Sequence, residues 1–183
     1  MGCDIVLENL EDIILFASVA HKNQMMMDPE VPYLTHLISV ASNVLEAYHN
    51  GEEKFNLDYA LKLAILHDTI EDTEVTYDIL EQRYGKDIAM GVLALSKNDN
   101  LPYNMQLEDS IERIKKAPRE VAIVKLSDRI YNLMIKPEKW SKEKWDNYLK
   151  ESEYMLNEIG IANKYLEDKL QERISRNRTN TSR

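Results

Sequence analysis

Apolar side chains recur every three to four residues along almost the whole chain, and two-residue alternation is nearly absent, so the pattern predicts helices throughout. Leu10, Ile13, Ile14, Ala17 and Ala20 form a first stripe; Leu37, Val40, Ala41, Val44 and Leu45 form a second. Breakers fall between such runs, at Pro29, Pro32, Gly51, Gly85, Pro102, Pro118 and Pro137. The spacing predicts roughly eight helices, over 6–24, 34–50, 57–72, 75–84, 86–97, 105–116, 119–134 and 141–173. The fold class is all-α, a single irregular helical bundle without repeats or linkers.

Local signals sharpen several of these elements. Asn56 is an N-cap for the 57–72 helix, whose Leu61, Ala64, Ile65 and Leu66 face the core. Thr73 ends that run, and the short helix after it closes at Gly85. The C-terminal stretch places Trp145, Tyr148, Leu149, Ser152, Leu156 and Ile159 on one face, with a break at Gly160. Beyond Glu172 come Arg173, Arg176, Arg178 and Arg183 with no acid among them. This reads as a domain over 1–173 followed by a basic, solvated and frayed tail over 174–183.

Charge and cysteine usage narrow the function classes. Lys and Arg number 23 against 32 Asp and Glu, and a net charge of −9 repels a phosphate backbone, which argues against nucleic acid as a partner. No run approaches the ~18 apolar residues of a membrane span, so no membrane partner is expected. The single Cys3 excludes a disulfide framework and a Cys-rich zinc site and fits a reducing cytoplasm. Met1-Gly2 opens like a myristoylation signal, but Val6 occupies the position where Ser or Thr is required. Nothing in the chain predicts its oligomeric state.

The string Leu66-His67-Asp68-Thr69-Ile70-Glu71-Asp72-Thr73 carries the most chemistry. His67 and Glu71, and likewise Asp68 and Asp72, are one helical turn apart on neighbouring stripes, so all four can face one cavity. An adjacent His-Asp pair is ordinarily a surface pair or a hydrogen-bonded one. Here the apolar run from Ala60 to Leu66 leads directly into it, and polar groups carried into a core need a metal, a partner or water. His36 opens one apolar helix and Asp128 lies late in another, so both can complete a site, though each alone is unremarkable.

Together His36, His67, Asp68 and Asp128 resemble the ligand set of the HD superfamily of metal-dependent phosphohydrolases. The chain is more specifically similar to the hydrolase domain of the RelA/SpoT family and its small stand-alone versions. The matching pieces are Ala20-His21-x-x-Gln24, Pro32-Tyr33-x-x-His36, the 66–73 string, Tyr84-Gly85, Leu95-Ser96-Lys97 and Val124-Lys125-Leu126-Ser127-Asp128-Arg129-Ile130-Tyr131-Asn132. They run in order through most of the chain. The resemblance implies an HD-type helical fold and removal of the 3′-pyrophosphate from (p)ppGpp, a small nucleotide. It also implies one divalent ion per chain, Mn²⁺, on His36, His67, Asp68 and Asp128.

Two imidazoles and two carboxylates make an N/O site suited to Mn²⁺, short of the thiolates of structural zinc. Glu71 and Asp72, one turn beyond the ligand pair, are placed as general base or water-orienting groups, the role the family assigns them. Asn132, four residues after Asp128, matches a nucleotide-contacting Asn of the family, and Tyr148 matches a Tyr near its guanosine pocket. Lys22, Lys97, Lys125 and Arg129 are candidate cations against the substrate's charge. Where similar hydrolases carry basic residues, this chain has Met25-Met26-Met27, which predicts either an apolar packed loop or a remodelled pocket wall. Ser127 replaces the usual Ala. Two other readings stand beside the first: an HD phosphohydrolase of another nucleotide phosphoester, such as a nucleotidase or NADPH phosphatase, and a non-catalytic nucleotide or metal sensor.

Overall fold

The computed structural model describes residues 9–26 and 30–181. The expectations for Cys3, for Met1-Gly2 with Val6 and for Met27 lie outside the described residues, as do Pro29 and the first three positions of the 6–24 helix. Among the described residues the chain forms α1 (Leu10–Ala20), α2 (Leu34–Asn50), α3 (Leu57–Leu66), α4 (Thr69–Asp72), α5 (Tyr77–Tyr84) and α6 (Lys86–Leu95). It continues with α7 (Tyr103–Lys116), α8 (Arg119–Asn132), α9 (Lys142–Ile159), a 3-10 turn at Gly160–Ala162 and α10 (Lys164–Thr181). An isolated bridge between Met25 and Pro32 is the only β pairing among these residues. The all-α class is as expected. The helix count exceeds the expected eight because two long predicted helices are broken.

Helices α3 and α8 occupy the centre. In α3, Leu57, Ala60, Leu61, Leu63, Ala64, Ile65 and Leu66 are all buried, an apolar surface too wide for one stripe, and α2, α6, α8 and α1 pack around it. In α8 the run from Glu120 to Val124 and from Leu126 to Ile130 is buried between α2, α3 and α10. The core is therefore a triad of α2, α3 and α8, with the other helices laid over it. Because each helix of the triad is covered on several sides, its ends are fixed relative to the other two.

The predicted 57–72 helix breaks at His67 and Asp68. Two side chains take the carbonyls that the next turn's amides would otherwise use. His67 Nδ1 bonds Ala64 O at 2.9 Å and Thr69 Oγ1 donates to Leu66 O at 2.7 Å. Asp68 turns the chain at φ −99°, ψ 0°, and helical bonding resumes from Asp72 N to Asp68 O. At the other boundaries, Asn56 caps α3 through Tyr59 N as expected, and Thr76 caps α5 through Ile79 N. Gly85, at φ +89°, supplies the left-handed backbone that separates α5 from α6. Helix α7 begins at Tyr103 because Pro102 forms its N-terminal boundary.

The stretch after Glu172 differs from the expected frayed tail. Helix α10 continues through Thr181; Ile174 is 1% exposed, following Leu166 and Leu170 at four-residue spacing. Asn177 Nδ2 donates to Leu133 O at 2.9 Å, and Arg178 pairs with Glu153 of α9. Arg178 looked unpartnered in sequence because its acid lies on another helix, while Arg176 pairs with Glu172 one turn back on its own. The break near Gly160 is present, with Asn163 capping α10 through Leu166 N. The Ile174→Ala variant is expected to lose about 2–4 kcal/mol of unfolding free energy by chemical denaturation; a frayed end would lose none.

Candidate active site

His36 is the third residue of α2, His67 and Asp68 form the bend after α3, and Asp128 lies in the penultimate turn of α8. The core triad thus gathers the other three expected ligands around His36 Nε2. His36 Nε2 stands 3.1 Å from His67 Nε2, 3.3 Å from Asp68 Oδ2 and 3.3 Å from Asp128 Oδ1. His67 Nε2 is 2.9 Å from Asp68 Oδ2 and 3.8 Å from Asp128 Oδ1. His36, His67 and Asp128 form a cluster with ligand atoms all within 4.8 Å of one another.

Each acid of the site has its own donor. Tyr33 OH donates to Asp68 Oδ2 at 2.6 Å, and Asn132 Nδ2 to Asp128 Oδ1 at 2.6 Å. Gln24 Nε2 donates to Asp72 Oδ2 at 2.9 Å, its own carbonyl held by His21 Nδ1 at 2.7 Å. Lys97 grips both oxygens of Glu71, Oε2 through its backbone N–H at 3.0 Å and Oε1 through Nζ. Tyr33, Gln24, His21 and Lys97 stand inside the family-like motifs, but spacing alone assigned none of them these partners. The available signal was Tyr33 three residues before His36, one turn along the same face.

Beside the cluster lies a cavity of about 440 Å³. Tyr33, Lys97, Asn132 and Gln24 line its polar part, while Met26, Met134, Ile135, Pro137, Trp140 and Tyr148 belong to its apolar part. Asn132 and Tyr148 are thus on the cavity wall. Arg129 is not: it is buried behind the wall, its guanidinium 3.9 Å from the Tyr148 ring centroid, with Nη1 3.3 Å from Ser152 Oγ and 3.8 Å from Glu151. Lys22 is exposed on the turn after α1 and does not line the cavity. Lys125 faces inward to Asp128 Oδ2 at 3.8 Å and Leu95 O at 3.3 Å. Met25 and Met26 both line the cavity, Met26 Sδ accepting from Tyr131 OH at 3.4 Å, so the described part of the Met run is pocket wall.

The HD domain family model matches residues 14–153, a span containing all four converging ligands. The chain belongs to the HD domain family. Among its curated relatives is guanosine-3′,5′-bis(diphosphate) 3′-pyrophosphohydrolase MESH1 of Danio rerio, 32% identical over 177 residues, which cover 94% of this chain and 95% of that protein. Bifunctional (p)ppGpp synthase/hydrolase SpoT of Escherichia coli K12 is 35% identical over 134 residues, 69% of this chain and 18% of that longer protein. A solved structure of a metazoan ortholog of SpoT, described as hydrolysing ppGpp, aligns at a TM-score of 0.81 and 26% identity over 96% of this chain and 98% of that one.

The donor set of this HD domain fits a divalent ion. Metal–ligand bonds of about 2.0–2.2 Å put adjacent ligand atoms about 3 Å apart, which is the spacing found here. A carbonyl only accepts, so the bond to Ala64 O places the His67 proton on Nδ1 and leaves the Nε2 lone pair facing three other acceptor-type atoms. Such a group needs a cation at its centre, a metal or protons. Without the metal, protons do the work. Burial alone would push His36 down, but hydrogen bonds and charge from Asp128 and Asp68 outweigh it and hold its pKa at about 9. His67 is raised against the same burial effect by Asp68 and Asp128. Burial would raise both carboxyls, but the imidazoles hold Asp68 and Asp128 below the usual carboxylate range, with Lys125 assisting at Asp128. Tyr33 is pushed up by burial and by Asp68, which keeps it a donor.

The signs give a pH test. His36, raised above the ~6.5 of an unfolded histidine, contributes stability fully present below about pH 6.5 and lost as pH rises through about 9. The depressed Asp68 and Asp128 contribute stability present above about pH 4 and lost as pH falls further. With chelator present, the cluster's stabilisation is expected to peak between about pH 4 and 6.5 and the melting temperature to fall toward pH 9. Divalent metal is expected to stabilise more as pH rises, because ligation needs neutral imidazole. A metal-free melting temperature that climbs toward pH 9 contradicts the assignment.

Proposed function

We propose that this HD domain hydrolyses the 3′-pyrophosphate of (p)ppGpp-type nucleotides, yielding GDP or GTP, or the adenine equivalent, and pyrophosphate. The observation that carries the reading is the convergence of two imidazoles and two carboxylates beside a nucleotide-sized cavity with a polar and an apolar part. His36, His67, Asp68 and Asp128 hold one divalent ion per chain, Mn²⁺ by the hardness of an N/O donor set without thiolate. When bound, that ion supplies Lewis-acid polarisation of a phosphoryl oxygen and acidifies water. Residues 1–173 serve as the hydrolase domain, and α10 extends the same core past that boundary.

The protein's own groups do the rest. Tyr33 and Asn132 hold Asp68 and Asp128 in fixed rotamers, so the ligand oxygens need no reorganisation on binding. Glu71 and Asp72, one held by Lys97 and the other by Gln24, form the proton-accepting and water-orienting pair. Tyr148 and Trp140, edge-to-face at 5.2 Å between centroids, offer aromatic surface to a purine, and the Asn132 amide lies between that surface and the ligands. Arg129 supports Tyr148 from behind and does not contact substrate. Lys22 plays no part in the cavity. A cytoplasmic location follows from the single cysteine of the chain, which fits a reducing compartment; among the described residues no helix is long and apolar enough to cross a membrane.

One observation favours a second reading. Met25 and Met26 line the cavity where similar hydrolases carry basic residues, and thioethers give a phosphate no charge. That wall fits an HD phosphohydrolase of a different nucleotide phosphoester, such as NADPH. Incubation of the metal-loaded protein with ppGpp, ppApp, NADPH and simple nucleotides separates the two. Pyrophosphate release from ppGpp or ppApp is expected, and free phosphate from NADPH alone would select the second. Asp68→Ala is expected to abolish both metal binding and turnover. Glu71→Ala is expected to keep the metal and lose about 10²–10⁴ in kcat; full activity in that variant removes Glu71 from the proposed pair and leaves the metal site standing.

A further inference from the structure

One peptide group near the site is gripped from both sides. After α6 ends at Leu95, the Ser96–Lys97 peptide follows in extended backbone, with Ser96 at φ −75°, ψ 144°. Its N–H donates to Glu71 Oε2 at 3.0 Å. Its C=O accepts from Arg113 Nη2 at 2.8 Å. The same guanidinium donates through Nη1 to Leu93 O, and its Nε is fixed by Asp109 Oδ2 at 2.9 Å. A peptide is planar, so its N–H and C=O turn together. Any rotation that releases the carbonyl from Arg113 also swings the N–H away from Glu71. The charges reinforce the arrangement, because a guanidinium at the oxygen and a carboxylate at the N–H polarise the peptide in the same direction.

Arg113 stands on α7, remote in sequence from every ligand, and does not line the 440 Å³ cavity. It borders a separate cavity of about 580 Å³ with Leu93, Ala94, Lys116 and Pro118. We propose that Arg113 is a positioning residue for the reaction: through the Ser96–Lys97 peptide it aims the Glu71 carboxylate at the site. The proposal rests on the reading of Glu71 as part of the proton-accepting pair. The competing role is a plain helix cap, since the carbonyls of Leu93 and Ser96 lie at the end of α6, where carbonyls lack intrahelical partners. A cap stabilises α6 without regard to Glu71, whereas a positioning residue acts only as long as Glu71 does. The fork matters as well, because a lysine ammonium lacks the planar geometry that engages both carbonyls and Asp109 together.

The Arg113 side chain is 29% exposed at the rim of the 580 Å³ cavity, so a methionine there leaves no enclosed void. The test measures pyrophosphate release from ppGpp by the metal-loaded full chain in a double-mutant cycle of Arg113→Met and Glu71→Gln. Arg113→Met is expected to lower kcat about tenfold with KM within about twofold, as displacement of a reacting group lowers turnover more than binding. Arg113→Lys is expected to fall between it and the parent. In the Glu71→Gln background, Arg113→Met is expected to change the residual kcat by less than about twofold. An unchanged kcat in Arg113→Met, or a tenfold loss that multiplies in full onto Glu71→Gln, overturns the proposal in favour of a cap. If Glu71→Gln alone keeps the full rate, the Glu71 reading fails and the proposal falls with it. If Glu71→Gln is slow and Arg113→Met is not, the proposal alone fails. Should Arg113→Met not fold, Arg113→Lys in the same cycle is judged by the same criteria.

Discussion

Two carboxylates and two imidazoles crowd together at the centre of an apolar core, and their mutual need for a cation governs the structure around them. An anion carried out of water without a countercharge is strongly unfavourable. The His36 and His67 side chains are 3% and 1% exposed, and those of Asp68 and Asp128 are 17% and 12% exposed. Without a cation, His36 Nε2 faces lone pairs of His67, Asp68 and Asp128 at 3.1–3.3 Å; a divalent ion or shared protons relieves that repulsion. The apolar triad of α2, α3 and α8 holds the groups in place against it. Folding free energy from the surrounding core thus maintains a site that is unfavourable by itself when it holds neither an ion nor shared protons.

The same requirement accounts for the break after α3. Neighbouring residues on a straight helix point about 100° apart and do not face one point. His67 and Asp68 are neighbours, yet His67 Nε2 and Asp68 Oδ2 are 2.9 Å apart. Interrupting the helix between them makes this possible, and the side chains that interrupt it include His67 itself, bonded back to Ala64 O. That bond selects the tautomer whose Nε2 can ligate. One contact therefore ends a helix, orients a ring and sets its protonation. Beyond the bend, α4 carries Glu71 and Asp72. They diverge to Lys97 and Gln24, which separates groups that hold an ion from groups that handle a proton.

The helical class and the positions of most boundaries were legible in the sequence because each depends on local spacing; His67 and Asp68 stood out as a polar string inside an apolar run, whereas His36 and Asp128 were singled out only by resemblance to a family pattern. Asn56 and Gly85 act within a few residues and behave as expected. The bend at His67 was not legible, since helical periodicity does not register side chains that compete for the last carbonyls. The ordered end of α10 was missed for a different reason: Arg178 finds Glu153 on α9, and Ile174 finds the core, across distances in sequence that composition cannot see. Arg129 shows the same limit. Next to Asp128 it looked like a substrate cation, yet adjacent helical positions face differently, and the guanidinium lies against the Tyr148 ring.

These assignments bear on how the cavity meets a highly charged substrate. Lys97 is the only charged residue among the described residues lining it, and its ammonium is already bonded to Glu71. Lys125 is committed to Asp128 and Leu95 O, and Arg129 to Ser152, Glu151 and the Tyr148 ring. Met25 and Met26 add thioethers, which carry no charge, to the cavity wall. A pyrophosphate entering this cavity would therefore meet little uncommitted positive charge on the lining, and a divalent ion held by the four ligands would become the main electrostatic attraction. In such a site the ion contributes to binding as well as to chemistry. The apolar part, with Trp140, Tyr148 and Met134, then secures the remainder of the nucleotide by contact area rather than by charge. Affinity on this arrangement depends on metal loading more steeply than in a pocket that carries its own arginines, since removing the ion removes the charge that holds the phosphates along with the charge that activates them.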